Sequence, residues 1–304
     1  MTKRLNKVGL AALWAVIIGA VAALIAAPCE VHAAQGDAKI HIMPFNYSDA
    51  ILVESDGHFG MVDSGEDSSY PDGSDPRYPL RDGITKGDGH EDEVISYLES
   101  VGVTTNNFDF YIGTHPHSDH VGSAPQIIKR FKPKKIYTPV YDDSYITDAS
   151  RLWDNQYVYD RLIEAAKEAG AELVQSFSGD GSGFYLGSAY IQLYNTDTSY
   201  QEKGVFDANC FSLGVKVTAG GHTAFLAGDI NNYTGAESII APELGHVDFL
   251  KMGHHGIPGQ TQMLTSKPFL PAWCFKRGST LFCRRTQLMS LRAWGRNMLA
   301  PTML

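Results

Sequence analysis

Cysteine is scarce and unpatterned in this chain. Four occur among 304 residues, at Cys29, Cys210, Cys274 and Cys283, and no C-x-x-C pair joins them. That spacing indicates neither a cysteine zinc site nor a disulfide framework, so stability has to come from a sizeable core. Basic residues are also short. Residues 35–266 hold 15 Lys and Arg against 33 Asp and Glu, a net charge near −18. Such a surface repels polyanions, which makes nucleic acid an unfavourable partner. Long apolar runs are missing except at the start, where Lys3, Arg4 and Lys7 precede the 20 residues Val8–Ala27 and Val31-His32-Ala33 offers small residues at a peptidase spacing. Residues 1–34 therefore read as a signal peptide or an N-terminal membrane anchor, with the body secreted or tethered outside the cytoplasm.

What is present is concentrated at one place. Thr114-His115-Pro116-His117-Ser118-Asp119-His120 puts three histidines and an aspartate into six positions directly after the apolar run Phe108–Ile112. Imidazole and carboxylate suit borderline divalent metals, zinc above all. Alternation along an extended segment sends His115 and His117 to one side. Asp119 and His120 then follow closely enough to hold a second ion about 3.5–4 Å away. Further ligands are sought at later strand ends. Asp229 follows the apolar stretch Phe225-Leu226-Ala227-Gly228, where its carboxylate can bridge two ions, and His254-His255-Gly256 follows Val247–Met252. The metal set is then His115, His117, Asp119, His120, Asp229 and His254, with His255 as a guess for the proton donor and Asp119 orienting the attacking water.

Around these motifs the pattern alternates. Strands are expected over 39–45, 49–54, 59–63, 108–113, 135–139, 173–177, 189–194, 211–217, 223–226 and 247–252. Helices are expected over 91–101, 118–131, 149–169 and 236–241. On the long helix, Trp153 and Tyr157 stand four apart on one face. Aromatic faces beside carboxylates bind quaternary ammonium groups, so this pair is a candidate substrate-binding surface. Two sheet layers with helices outside bury all these faces. From 267 to 304 the chain has seven basic residues, no acids and no clear period. A frameshift near 266 would account for this, leaving the second layer incomplete at its C-terminal end; a divergent basic extension is the alternative.

The ligand pattern, with Met61-Val62-Asp63-Ser64-Gly65 as an early D-x-G turn, resembles the metallo-β-lactamase superfamily. That implies an αββα sandwich over residues 35–266 with a dinuclear zinc site at one edge, Asp63 supporting it. Where many members have a further histidine, Asn209 and Ser212 stand, as in the competence-type DNA-uptake hydrolases that share the late H-H-G. Ile51–Asp67, Pro71–Pro79, Arg151–Asp160, Ile191–Asn195 and Leu226–Glu237 are similar to the catalytic domains of teichoic-acid phosphorylcholine esterases of the pneumococcal type. The resemblance implies a zinc phosphodiesterase acting on choline-bearing cell-wall polymers, through a hydroxide shared by two Zn2+ ions. No aromatic choline-binding repeats follow, so wall attachment by that route is not expected. The alternatives are a nuclease of the DNA-uptake type and a non-catalytic wall-binding protein with a damaged hydrolase fold.

Overall fold

Apolar residues run almost unbroken through the central strands, and such strands are stable only when covered on both faces. The computed structural model describes residues 37–45, 47–87 and 89–257, with the backbone of two further strands. The first sheet has the order β1 (Ala38–Ile42), β2 (Ala50–Ser55), β3 (His58–Ser64), β4 (Phe108–Ile112), β5 (Lys135–Tyr137) and β6 (Glu172–Val174). It begins antiparallel and is parallel from β3 onward. The second sheet contains β7 (Gly183–Leu186), β8 (Ala189–Tyr194), β9 (Gly214–Ala219), β10 (His222–Leu226) and β11 (Phe249–Lys251), and only β10 and β11 run parallel in it.

Successive residues of each strand feed different layers. Ile51, Val53, Val62, Phe110 and Ile112 point between the sheets and meet Leu186, Ile191, Val215, Val217 and Leu226. Leu52, Met61 and Tyr111 point outward and pack under α1 (Glu91–Ser100), α3 (Ala124–Phe131) and α4 (Asn155–Ala169) through Val94, Leu98, Ile127, Ile128 and Leu162. On the far side, Phe225 and Leu250 are covered by Ile240 and Leu244 of the helix Ala236–Leu244. The molecule is the αββα sandwich expected from the sequence.

Three local expectations need correction. The helix expected over 118–131 is two pieces, α2 (Ser118–Val121) and α3, parted at Gly122-Ser123. The helix expected over 149–169 is a short 3-10 turn, Ala149–Arg151, followed by α4. Trp153 lies in the break with a left-handed φ of 34°. It therefore shares no helical face with Tyr157, and the expected aromatic pair does not form as such. In the second sheet, Thr280–Arg284 pairs with β11 and Trp273–Arg277 pairs with Thr280–Arg284. The N-terminal segment and most of the basic tail lie outside the described residues. No helix among the described residues is long and apolar enough to cross a membrane.

Candidate metal centre

Parallel pairing sets where the site forms. β3 and β4 run the same way, as do β10 and β11, so each pair delivers its C-terminal loops to one edge. Asp63 (φ 55°) is the penultimate residue of β3, β4 runs into His115 and His117, β10 into Asp229, and β11 into His254 and His255. Gly228 makes the turn before Asp229 possible: its φ is 49°, and a Cβ there would stand 2.5 Å from the Ser212 hydroxyl. That hydroxyl accepts the Asp229 N–H at 2.9 Å.

Two groups of side chains gather around Asp229. In one, His115, His117 and Asp229 present ligand-type atoms within 4.8 Å of one another; in the other, Asp49, His120, Asp229 and His255 do so. His115 Nε2 faces His117 Nδ1 at 3.1 Å. Asp229 lies 3.9 Å from His115 Nε2, 3.1 Å from His120 Nε2 and 3.5 Å from His255 Nε2. Asp119 completes the second group's rim, 3.0 Å from His255 Nε2 and 3.7 Å from His120 Nε2. His254 stands outside both groups, 3.9 Å from Asp229 and 3.2 Å from the Asn209 amide. The second group thus contains His255, whereas the sequence assigned the ligand place to His254. Both have left-handed backbones, with φ of 47° and 50°, and strand alternation does not extend into such a turn.

Asp63 plays the supporting part. Its carboxylate accepts from the Thr114 amide and hydroxyl at 2.8 Å each and from His120 Nδ1 at 2.8 Å. That fixes the His120 tautomer and leaves Nε2 aimed at Asp229, as an outer carboxylate does for metal-bound histidines.

These residues fit divalent cations. Buried polar atoms are normally hydrogen-bonded, yet His117 Nε2 and His255 Nδ1 form no hydrogen bond. Four buried or half-buried carboxylates, Asp49, Asp63, Asp119 and Asp229, face one permanent cation, Lys251. Burying unmatched charge is costly, and it shifts the protonation of the groups around it. Burial alone would depress His120 and His255, but the surrounding Asp229, Asp119, Asp63 and Asp49 carboxylates outweigh it and push both above the usual histidine range. Burial does dominate at His115 and His117, which are pushed down. Burial would raise the Asp229 carboxyl, but His120 and His255 hold it well below the ordinary range. Cations entering the cluster displace protons from it.

Several residues here escaped the sequence. Lys251 is wholly buried, pairs with Asp49 and donates to the Gly228 carbonyl at 2.7 Å. A lysine inside the apolar run before His-His-Gly was the clue to it. Asp49 resembled an ordinary turn residue, and Asp207, 3.5 Å from His117 Nε2, had no motif around it.

The centre opens into a cleft of about 800 Å³ whose lining includes Tyr47, Glu66, Glu93, Trp153 and Asp154. The Trp153 ring stands 5.0 Å from that of His117, nearly perpendicular to it. Tyr157 packs instead against the outer core, with Tyr78 at 5.5 Å and the Arg161 guanidinium 4.9 Å over its ring.

Residues 43–193 match the profile of the Metallo-beta-lactamase superfamily. The chain is 23% identical over 228 residues to ComE operon protein 3 of Bacillus subtilis (strain 168), an alignment spanning 74% of this chain and 26% of that protein. Similar solved structures include a Cronobacter sakazakii metallo-β-lactamase with a HARLDQ motif (13% identity, 60% of this chain and 56% of that one, TM-score 0.37). Another is a B3 metallo-β-lactamase with an active-site glutamic acid (13% identity, 74% and 81%, TM-score 0.43). On the profile match, and with the sandwich in place around it, the chain carries a domain of the metallo-β-lactamase superfamily, whose members are metal-dependent hydrolases.

Proposed function

We propose that this chain is a dinuclear zinc phosphodiesterase that works outside the cytoplasm on phosphorylcholine-type or cell-wall polymer diesters. The observation that carries the reading is the Asp229 carboxylate, which belongs to both groups of ligand-type side chains at once. In this reading His115 and His117 would hold one ion, Asp119, His120 and His255 would hold the other, and Asp229 would serve both. When bound, the ions supply Lewis acidity toward the phosphoryl oxygens and acidify water.

The chain's own groups do the rest. Asp63 keeps His120 in one tautomer. The hydrogen bond between His255 Nε2 and Asp119 Oδ2 orients both. Trp153 walls the cleft beside His117, and its ring is the surface proposed to meet a choline headgroup. Glu93 and Asp154 make that wall acidic, which suits a substrate bearing a cation. Trp153→Ala is expected to raise KM for choline phosphodiesters far more than for p-nitrophenyl diesters, and equal changes would remove this role.

The test of the function is a screen of the purified protein, from residue 35 onward, against phosphodiesters with and without chelator. Cleavage of choline diesters that stops on chelation supports the reading; chelator-insensitive or absent cleavage contradicts it. The second reading is a nuclease, favoured by the match to ComE operon protein 3 together with the shared H-H-G. The acidic cleft weighs against it, because a polyanion pays in repulsion at every phosphate. Digestion of single-stranded DNA with zinc or manganese decides between them.

A further inference from the structure

The hydrolase reading leaves one group without a role: the acid that protonates the leaving oxygen. His255, the residue first considered for it, sits inside the ligand cluster. Glu66 lines the same cleft as His117, Asp119 and Asp229, and its placement is unusually well determined. Its own N–H donates to the Ser48 hydroxyl at 3.2 Å, and its carbonyl accepts from the Ser123 hydroxyl at 2.7 Å and the His90 N–H at 2.9 Å. The adjoining Gly65 is clamped to the metal-motif helix by Gly65 N–H to His120 O at 3.2 Å and Ser123 N–H to Gly65 O at 2.9 Å. One carboxyl oxygen accepts from the Ser118 hydroxyl at 3.0 Å, and the other accepts from the Asp67 amide at 3.2 Å. Ser118 is the residue directly before Asp119, so the carboxyl is held against the ligand motif by a backbone pinned on several sides. Groups placed this firmly are what proton transfer requires.

We propose that Glu66 is the general acid of the reaction, donating its proton to the departing alkoxide oxygen. Water adds to phosphorus, the bond from phosphorus to the leaving oxygen breaks, and the alkoxide takes the Glu66 proton and departs as an alcohol. The proton shed by the attacking water then returns to the Glu66 carboxylate, so the cycle consumes only water. The charges that face Glu66 favour the protonated form. Asp154 and Asp67 bear on it, and Arg161, the nearby cation, is engaged by Asp67 at 2.7 Å. Burial, the largest cause, pushes its carboxyl up to about 8. An acid poised near working pH is the effective one.

This inference rests on the phosphodiesterase reading, and leaving-group chemistry separates the two. An alkoxide needs a proton to leave, whereas p-nitrophenolate does not. Glu66→Gln in the zinc-loaded enzyme is expected to lower kcat on glycerophosphocholine by about 10²–10³. The same variant is expected to keep its zinc content and its rate on p-nitrophenyl phosphorylcholine, which shares the headgroup but leaves unprotonated, within about threefold. If the glutamine variant does not fold, Glu66→Asp, which withdraws the carboxyl by one methylene, shows the same selectivity on a smaller scale. Equal losses on both esters, or no loss on the alkyl ester, overturn the assignment while leaving the phosphodiesterase intact. A wild-type enzyme inactive on both esters removes the reading and the assignment together.

Discussion

Asp63 and Asp229 are both buried aspartates at strand ends, and their surroundings give them different parts. Asp63 spends its oxygens on Thr114 and His120, whereas Asp229 belongs to both groups of ligand-type side chains. Removing an outer partner of a metal-bound histidine costs about 10–100-fold in metal affinity. Asp63→Asn is therefore expected to weaken zinc binding by that factor in competition with a chromophoric chelator; unchanged affinity would contradict the supporting role. Glu66 makes a prediction of opposite sense to most acidic residues. Its folded pKa of about 8 lies above its ordinary 4.5, so the folded chain keeps a proton that the unfolded chain sheds. Its contribution is complete below pH 4.5 and is lost as pH rises toward 8, at about 1.4 kcal/mol per pKa unit as an upper bound. The Tm of Glu66→Gln relative to wild type should climb across that window, and a constant difference would contradict the burial argument. At this scale the H-x-H-x-D-H cluster was legible because its members are neighbours in the chain. Asp49 and Lys251 were not, since each acquires meaning only from the other across the fold. The choice between His254 and His255 turned on left-handed φ values that no side-chain pattern encodes.

At the scale of elements, the breaks in two expected helices lie near the site. α2 and α3 part at Gly122, where a Cβ would stand 2.5 Å from the Ser118 carbonyl and 2.8 Å from the Asp67 amide. The missing side chain lets the Glu66-Asp67 loop close onto the metal-motif helix. Gly122→Ala is expected to cost about 1–3 kcal/mol through overpacking, measured by denaturant unfolding, and to lower activity by displacing that loop. A neutral result would show that the loop yields freely. Apolar period alone joined the two pieces into one helix, because the tertiary contact that splits them is invisible in it. The same holds for Trp153, whose turn precedes α4 although its spacing to Tyr157 is helical. The central strands were easier to read, being apolar on both faces. β7, four residues long and beginning with glycine, gave too short a pattern.

For the molecule as a whole, the two layers were legible from the alternation of strands and helices, and the edge bearing the site followed from placing ligands after strands. The core between the sheets holds that edge together. Phe110 is 2% exposed and packs against Phe184 and Tyr137, so Phe110→Ala should destabilise by about 3–5 kcal/mol, read from the shift in urea midpoint. A loss below 1 kcal/mol would mean that the sheets repack without it. The acidic body was plain from composition, but its concentration around the cleft was not, because Glu66, Glu93 and Asp154 come from separate segments. The central claim is that Asp229 joins two metal positions, and elemental analysis of the purified protein tests it most directly. Two zinc ions per chain in the wild type, falling below one in Asp229→Ala with the fold retained, is the expected result. Less than one zinc per wild-type chain, or two in the variant, would contradict it.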